Sequence, residues 1–360
     1  MTESNIISNS LLGRGAPQSA ADVLRQIADY LGDTNGFDTY GEGEYLQAFE
    51  LEIANFFGKQ AAVFMPSGTM AQQIALRIWC DRKQNHNIAM HPSSHLEFAE
   101  LLGYQHLHHL KRLQFGVPEL LDTRLLNLED FQNLHIAPGA ILLELPCRPL
   151  GGLLHSWDEL KAMSDWARQH EIPIHMDGAR IWQCQSFYNK SFTEIAALFD
   201  SLYVSFYKDI GGMFGCMLIG PETFVQESRV WQRRHGGNLI NQGAAVASAK
   251  MGFENILPQI NAWVGRAQLL AAAFNEIDGV RTNPEVPQCS MFQLFIEGDV
   301  DTLNHRADSL EEETGTCLFR RLSASTIPGI ATTEVHIFEN AMNFDLDLIE
   351  PSFQILMQRN

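Results

Sequence analysis

The chain has 360 residues, 45% hydrophobic and 19% charged, so it is long enough to bury a large core and has the composition of a globular protein. Acidic residues outnumber basic ones by 43 to 25, and the net charge of −18 argues against nucleic-acid and anionic-membrane partners. The six cysteines are scattered without a CxxC pair, and the first residues lack the basic and apolar regions of a signal peptide. We therefore expect a soluble, cytoplasmic protein with reduced thiols.

Strands and helices alternate through the first two thirds of the chain. An N-terminal segment, residues 1–40, is polar and turn-rich apart from one amphipathic helix. The predicted strands are 61–65, 87–90, 141–145, 172–176, 201–206 and 214–219, and the predicted helices are 19–31, 44–57, 68–81, 95–103 and 156–169. Alternation of this kind predicts an α/β fold with a mostly parallel sheet and helices on both of its faces.

The pattern changes towards the C-terminus. A long helical stretch at 240–275 leads out of the first domain. The elements predicted beyond it are strands 291–296 and 332–338 and helices 301–314 and 344–357. We therefore predict a large domain over residues 41–275 and a small C-terminal α+β domain over residues 276–360.

Two charged side chains stand at the ends of predicted strands. Lys208 ends one short apolar strand, and Asp177 ends another strand 31 residues upstream. Open α/β sheets bind ligands at the carboxyl ends of their strands. A lysine that forms an imine and an aspartate that pairs with a ring nitrogen are the groups that a pyridoxal phosphate (PLP) enzyme needs. The pair therefore predicts a PLP enzyme, although Asp177 alone would also fit an ordinary Asp-Gly turn.

A turn between a strand and a helix predicts a phosphate site. Ser67 is a good N-cap, and the N–H groups of Gly68, Thr69 and Met70 would point at an anion. The alternative is a capped helix that binds nothing. The position of the turn, after the first major strand and upstream of Asp177, favours phosphate.

Two further side chains are candidates for the site. His95 begins a predicted helix, where an imidazole is suited to stack on a cofactor or to relay a proton. Other histidines crowd near it, but their spacings fit no zinc signature, so no metal site is predicted. Arg180 follows Asp177 by one turn and is suited to bind a substrate carboxylate, or else to pair with a nearby acid.

These segments together resemble the threonine aldolase/β-eliminating lyase family of fold-type I PLP-dependent enzymes. The similar blocks are Tyr40-Gly41-Glu42, residues 57–71, Ser94-His95 with Glu97, His175-Met176-Asp177-Gly178-Ala179-Arg180, and Lys208 with Gly211-Gly212. The resemblance runs from residue 40 to about residue 240. It implies an aspartate aminotransferase-like large domain, PLP as cofactor and a homodimer or homotetramer.

The resemblance also implies a role for each candidate residue. The implied roles are the imine by Lys208, the ring-nitrogen bond by Asp177, ring stacking by His95, capping of the phosphate turn by Ser67, phosphate binding by Gly68 and Thr69, and binding of the substrate carboxylate by Arg180 with Ser8. The implied reaction is retro-aldol cleavage of a β-hydroxy-α-amino acid to glycine and an aldehyde.

Four segments depart from the family pattern, and most of them concern the substrate. They are Ser8-Asn9-Ser10 for Ser-Asp-Thr, Glu144-Leu145-Pro146-Cys147 for Glu-Asn-Thr-His, residues 233–241 without the Gly-Met-Arg phosphate clamp, and Val335-His336-Ile337 where an arginine is expected. Arg233 or Arg234 is a candidate substitute for the clamp arginine. The cofactor half of the site matches the family, whereas the substrate half is altered, so the substrate need not be threonine.

The sequence therefore predicts a PLP-dependent carbon–carbon lyase, a threonine aldolase-like aldehyde-lyase of amino acid metabolism that acts on a small-molecule amino acid. One alternative is another PLP reaction on the same scaffold, namely β-elimination, racemisation or transamination. A second is a non-catalytic relative that binds PLP. A dehydrogenase is disfavoured because no GxGxxG motif follows an early strand.

Overall fold

The computed structural model describes residues 9–15, 18–34, 38–115 and 124–358. Ser8, predicted to bind substrate, lies outside the described residues. The chain divides into two compact units. The first, here called the sheet unit, comprises Ser19–Pro149 and Leu154–Pro258, and the second, the terminal unit, comprises Met1–Gln18, Leu150–Leu153 and Gln259–Asn360. The predicted domain boundaries near residues 40 and 275 remain a prediction.

The strands of the described chain form three sheets. In chain order they are β1 (Asn9–Ser10), β2 (Ala61–Met65), β3 (Asn87–Met90), β4 (Lys111–Arg112), β5 (Ala140–Glu144), β6 (Ile174–Gly178), β7 (Ser201–Ser205), β8 (Cys216–Gly220), β9 (Val280–Asn283), β10 (Met291–Glu297), β11 (Thr316–Cys317), β12 (Ser323–Ala324) and β13 (Ile330–His336). The sheet unit holds β2 to β8, and the terminal unit holds the other two sheets.

The seven-stranded sheet organises the sheet unit, with strand order β2-β8-β7-β6-β5-β3-β4. Strands β3 to β7 pair in parallel, whereas β8 is antiparallel to β2 and to β7. Every residue of β6, β7 and β8 is buried. Near-continuous burial is typical of a sheet covered on both faces, so the predicted α/β fold with a mostly parallel sheet is confirmed.

Helices connect and cover these strands. In chain order they are α1 (Ala20–Leu31), α2 (Glu44–Phe56), α3 (Gly68–Lys83), α4 (His95–Phe98), α5 (Gly103–His108), α6 (Leu128–Gln132), α7 (Trp157–Gln169), α8 (Gln185–Tyr188), α9 (Phe192–Ala196), α10 (Glu222–Arg234), α11 (Gly243–Asn255), α12 (Ile260–Asn275), α13 (Val300–Thr314), α14 (Glu339–Asn343) and α15 (Ile349–Met357). Side-chain caps stabilise the N-termini of several helices. Ser67 caps α3, and Ser156 with Glu159 forms a capping box on α7. No helix in the described ranges has the length and apolarity needed to cross a membrane.

The terminal unit contains the α+β pattern predicted for the C-terminus. Its four-stranded antiparallel sheet has the order β12-β13-β10-β9, and β1 pairs with β11 in parallel. Helices α12 to α15 accompany these strands. The long helix predicted at 240–275 is instead two helices, α11 and α12. Pro258 lies in the break between them, where a proline interrupts helical hydrogen bonding.

One other predicted element differs near the candidate site. The sequence predicts a single helix at 95–103, but the structure has α4 and α5, each of six residues or fewer. Between them, Leu101 and Leu102 adopt positive φ angles of 51° and 57°. A left-handed conformation is uncommon for leucine, so the hydrophobic pattern gave no sign of this break.

Candidate active site

A pocket at the carboxyl end of the parallel strands brings together most of the predicted site residues. Its wall includes Gly68, Thr69, His95, Asp177, Arg180 and Lys208. All of them belong to the sheet unit. Convergence at the carboxyl ends of parallel strands is what the topology of an open α/β sheet predicts.

Strand register places three ionisable side chains in a row across the pocket floor. Asp177 on β6 pairs with Glu144 on β5 and with Tyr203 on β7. All three side chains line the pocket. Neighbouring strands lie about 4.8 Å apart, so the carboxyl groups of Glu144 and Asp177 project from paired residues on adjacent strands.

The two carboxyl groups differ in how they hold a proton. Burial and the nearby Asp177 carboxylate raise the pKa of Glu144 to about 8. Burial also raises the pKa of Asp177, but Lys208 and the Ala179 N–H, which lies 3.0 Å from Asp177 Oδ1, act in the opposite direction. We therefore place the proton on Glu144 and the negative charge on Asp177 near neutral pH.

Lys208 lies three residues beyond β7 and is half-buried. Burial lowers the pKa of its amine, and the charge of Asp177 opposes that effect. A lowered pKa increases the fraction of neutral amine, which is the nucleophilic form that attacks an aldehyde. The environment of Lys208 therefore suits covalent attachment of a carbonyl compound.

The predicted phosphate turn is the start of α3. Ser67 caps the helix, and its Oγ accepts a hydrogen bond from the Met70 N–H at 3.3 Å. The prediction that the Met70 N–H would face an anion is therefore wrong, because the cap already uses it. The amides of Gly68 and Thr69 precede it, and both residues line the pocket.

Gly68 also has a steric reason to be glycine. A Cβ atom built at this position would lie 2.1 Å from the Tyr203 hydroxyl oxygen. Tyr203 is itself buried in the sheet, so neither partner has room to move aside. The turn and the strand therefore approach each other as closely as a glycine permits.

His95 is oriented by a buried carboxylate that the sequence analysis did not single out. Its Nδ1 lies 3.0 Å from Glu100 Oε1, and the Glu100 side chain is only 2% exposed. The other Glu100 oxygen accepts a hydrogen bond from Gln73 Nε2 at 3.1 Å. Both His95 and Glu100 line the pocket. The histidine therefore has a fixed orientation, as a stacking or proton-relay group requires.

Arg180 reaches the pocket from the turn that follows β6. Its Nε is 4.0 Å from Asp209 Oδ1, which accepts a shorter hydrogen bond from Gln183 Nε2 at 2.7 Å. The Nε atom of Arg180 is buried and has no hydrogen-bond partner within the described residues. Arg180 is thus only loosely paired with Asp209, which leaves it suited to an incoming carboxylate.

The segments that depart from the family pattern occupy different places. Cys147 is buried just after β5. Arg233 and Arg234 are exposed at the end of α10, outside this pocket wall, and the Arg234 guanidinium stacks on Trp231. His336 ends β13 in the terminal unit, with Nε2 3.2 Å from Glu334 Oε2. Neither arginine lines this pocket, and a clamp role for either one stays a prediction.

The wall of the pocket fits PLP on three counts. Near the turn, two successive amides stand at a helix N-terminus, which suits a phosphate. At Asp177, a buried carboxylate matches a protonated ring nitrogen, and Lys208 matches the aldehyde. Lastly, buried polar atoms in the wall, Gln72 Nε2 and Glu144 Oε2, have no partner within the described residues. Such atoms are costly unless a ligand satisfies them.

Comparison with known proteins agrees with this geometry. Residues 25–295 match the family model for beta-eliminating lyases. A solved structure from Listeria monocytogenes, provisionally named an L-allo-threonine aldolase, is 38% identical with a TM-score of 0.91 and covers 98% of this chain and 96% of its own. A second, from Exiguobacterium and provisionally named an aromatic amino acid beta-eliminating lyase/threonine aldolase, is 36% identical with a TM-score of 0.90, covering 98% and 97%.

A curated relative extends the comparison to a plant protein. Low-specificity L-threonine aldolase 1 from Arabidopsis thaliana is 25% identical over 330 residues, which span 88% of this chain and 91% of the relative. The family model covers more than half of the chain, and the two solved structures match it almost end to end. The chain therefore belongs to the threonine aldolase/β-eliminating lyase family.

Proposed function

We propose that the chain is a PLP-dependent aldehyde-lyase that cleaves a β-hydroxy-α-amino acid to glycine and an aldehyde. The observation that carries the proposal is one pocket in which Lys208, Asp177 and the Gly68–Thr69 turn converge. Family membership and the aldolase names of similar proteins support it. When bound, PLP supplies an electron-accepting ring that delocalises the negative charge left on Cα when the Cα–Cβ bond breaks.

Residues of the sheet unit hold the cofactor in this proposal. Lys208 binds it covalently, and the amides of Gly68 and Thr69 donate to its phosphate. Asp177 accepts a hydrogen bond from the ring nitrogen and keeps that nitrogen protonated. Burial and the Asp177 charge raise the pKa of Glu144, which favours its neutral form, so in this proposal Asp177 is the carboxylate that pairs with the nitrogen.

Other residues handle the substrate. Arg180 binds the substrate carboxylate, which fixes the orientation of the bonds at Cα. His95 stacks on the ring and, oriented by Glu100, accepts a proton at Nε2, since Nδ1 faces Glu100. The buried Cys147, where the family has a histidine, removes one polar contact to the substrate hydroxyl. We therefore propose substrates other than threonine, with a different β-substituent.

β-Elimination on the same scaffold is the second candidate. The name of the Exiguobacterium protein includes beta-eliminating lyase activity, and its structure superimposes with a TM-score of 0.90. Both reactions need the same cofactor contacts and differ in which bond breaks. Product analysis separates them, because elimination yields ammonia and a keto acid, whereas aldol cleavage yields glycine and an aldehyde.

We also propose a homodimer or homotetramer in the cytoplasm. Large apolar side chains are exposed in the sheet unit, including Tyr40, Leu101, Leu107 and Ile240 at 54%, 87%, 60% and 60%. Exposed apolar groups of this size favour contact with another chain. The six cysteines are buried thiols, and the described residues hold no disulfide, which supports a reducing compartment. Light scattering of the purified protein tests the assembly.

The test of the function is a substrate panel. Purified protein loaded with PLP is incubated with β-hydroxy-α-amino acids of both configurations and of increasing β-substituent size. Glycine is measured chromatographically, and aldehyde through a coupled reductase. The proposal expects equal amounts of glycine and aldehyde from at least one member, and no product from Lys208→Ala. Bound PLP with ammonia and keto acid instead would support elimination, and bound PLP without any product would support a non-catalytic relative.

A further inference from the structure

A buried glutamine in the pocket wall uses its side-chain oxygen in a hydrogen bond, but its NH2 group has no partner among the described residues. Gln72 is the fifth residue of α3, is 2% exposed and lines the pocket. Its Oε1 lies 2.9 Å from His175 Nε2. Its Nε2 is buried and has no hydrogen-bond partner in the ranges that the structure describes. The sequence analysis did not single out this residue.

A chain of hydrogen bonds surrounds this amide. The Trp79 indole can only donate, and it donates to Ser201 Oγ at 2.7 Å. Ser201 Oγ also lies 2.8 Å from His175 Nδ1, and its hydroxyl hydrogen is free to be donated to that nitrogen. Burial lowers the pKa of His175 to about 3, so the ring is neutral and carries one proton. Gln72 turns its oxygen, an acceptor, to His175 Nε2, so in this arrangement Nε2 carries the proton and the amide NH2 faces away from His175.

The position of Gln72 is next to both predicted cofactor contacts. It follows Gly68 by four residues, so the two share one face of α3, and helical side chains tilt towards the N-terminus. His175, which holds the amide oxygen, lies two residues before Asp177 on the same face of β6. The amide therefore stands between the phosphate turn and the carboxylate.

We propose that Gln72 is a cofactor-binding residue whose Nε2 donates a hydrogen bond to an acceptor atom of the PLP bound in this pocket. The inference rests on the proposed function, since it needs PLP as the ligand. The hydrogen bonds of Trp79, Ser201 and His175 then orient the Gln72 NH2 group before the cofactor binds. A donor oriented beforehand loses little entropy when the ligand arrives.

The test compares three variants in binding of pyridoxamine phosphate, an analogue that cannot attach covalently to a lysine. Gln72→Met removes the amide, and Gln72→Glu keeps the acceptor for His175 but replaces the donor with an oxygen. Gln232→Met is the matched control, because Gln232 is a buried glutamine outside the pocket wall that donates to Phe64 O at 2.8 Å. Dissociation constants and melting temperatures of the cofactor-free proteins are measured for each.

The proposal expects the Kd of Gln72→Met to rise by about tenfold, as loss of one hydrogen bond predicts, and that of Gln72→Glu to rise further. Gln232→Met should lower the melting temperature without changing the Kd. A wild-type Kd in both Gln72 variants would overturn the inference and leave Gln72 as a support for His175. If Gln72→Met does not fold, Gln72→Glu and Ser201→Ala, which loosens the amide, decide the matter by the same criterion.

The same measurement separates this inference from the proposed function. If wild-type protein binds PLP and its analogue but the Gln72 variants bind equally well, only the inference fails. If the wild type binds neither compound, both the cofactor assignment and the inference are wrong.

Discussion

The pocket has two walls that differ in how they are built. The cofactor wall consists of Gly68, Thr69, Gln72, Asp177 and Lys208, which stand on or directly beside the long helix α3 and the central strands β6 and β7. Buried backbone hydrogen bonds fix the positions of these elements.

The loop wall consists of His95, Phe98, Glu100, Arg148 and Pro149. Its residues lie on or directly beside short helical turns, namely α4 with four residues and the 3-10 turn Arg148–Leu150. Phe98 is 55% exposed. Regular elements position cofactor chemistry precisely, whereas short connections can change between relatives without disturbing the sheet. We therefore expect the cofactor wall to determine cofactor binding and the loop wall to determine substrate preference.

The largest effect should come from Lys208 in the cofactor wall. Lys208→Ala removes the covalent attachment, so we expect kcat to fall by about 10³-fold or more. Lys250→Ala is the matched control, because Lys250 is in the same unit on α11 and pairs with Glu52 at 2.5 Å, outside the pocket wall. Steady-state kinetics decides, and turnover by Lys208→Ala near that of Lys250→Ala would refute the assignment.

The second-largest effect on kcat should come from Asp177. Asp177→Asn keeps the shape of the side chain but removes the negative charge beside the ring, so we expect kcat to fall by about 10²- to 10³-fold. The melting temperature of the cofactor-free variant should stay near that of the wild type, because the charge is buried and its loss removes a desolvation cost. If the variant melts much lower but turns over normally, Asp177 has a structural role only.

The loop wall offers a smaller and more selective effect. His95→Phe keeps an aromatic face for stacking but removes the proton-accepting nitrogen, so we expect about a 10²-fold loss of kcat with little change in the affinity for PLP. Near-normal rates would mean that stacking is the only role of His95.

The smallest effect concerns Glu144, which lies on the floor between the walls. In the unfolded chain this carboxyl loses its proton above its ordinary pKa of 4.5, whereas the folded cofactor-free protein keeps it up to about 8. The folded state therefore binds more protons between these values, and its stability falls as the pH rises through this window. Glu144→Gln, which has no proton to lose, should gain stability relative to wild type between pH 5 and pH 8 and stay constant above.

Melting temperatures of the two cofactor-free proteins at pH 5, 7, 8 and 9 test this difference. Glutamine retains an acceptor for the Arg148 N–H, which lies 3.1 Å from Glu144 Oε1, so the local hydrogen bond is preserved. A difference between the two proteins that does not depend on pH would show that Glu144 is ionised in the fold.

The contrast between the walls also explains what the sequence could predict. Strands β2 and β3 were predicted to the residue, and the turn at Ser67 follows β2. Asp177 and Lys208 were found from the strands predicted at 172–176 and 201–206, which the structure places at Ile174–Gly178 and Ser201–Ser205. Buried strands give long apolar runs, and ligands bind at their carboxyl ends. The role of each site residue remains a prediction, although the pocket brings most of them together.

The rest depended on contacts that no local pattern encodes. The Glu100 carboxylate reaches back to His95 from just beyond the end of α4 at Phe98, and Leu101 and Leu102, two leucines with positive φ, follow it. Gln72 faces the sheet because it belongs to the buried side of α3, and its partner His175 is 103 residues away in sequence. A polar residue among the apolar positions of a helix was the one available signal, and it does not identify the partner.

The visible absorption spectrum of the purified protein tests the central claim most directly. After incubation with PLP, we expect a yellow band that borohydride abolishes, with the added mass on the peptide that contains Lys208, and a further long-wavelength band when glycine is added to an untreated sample. The absence of a yellow band, or reduction that labels a different lysine, would contradict the cofactor site described here.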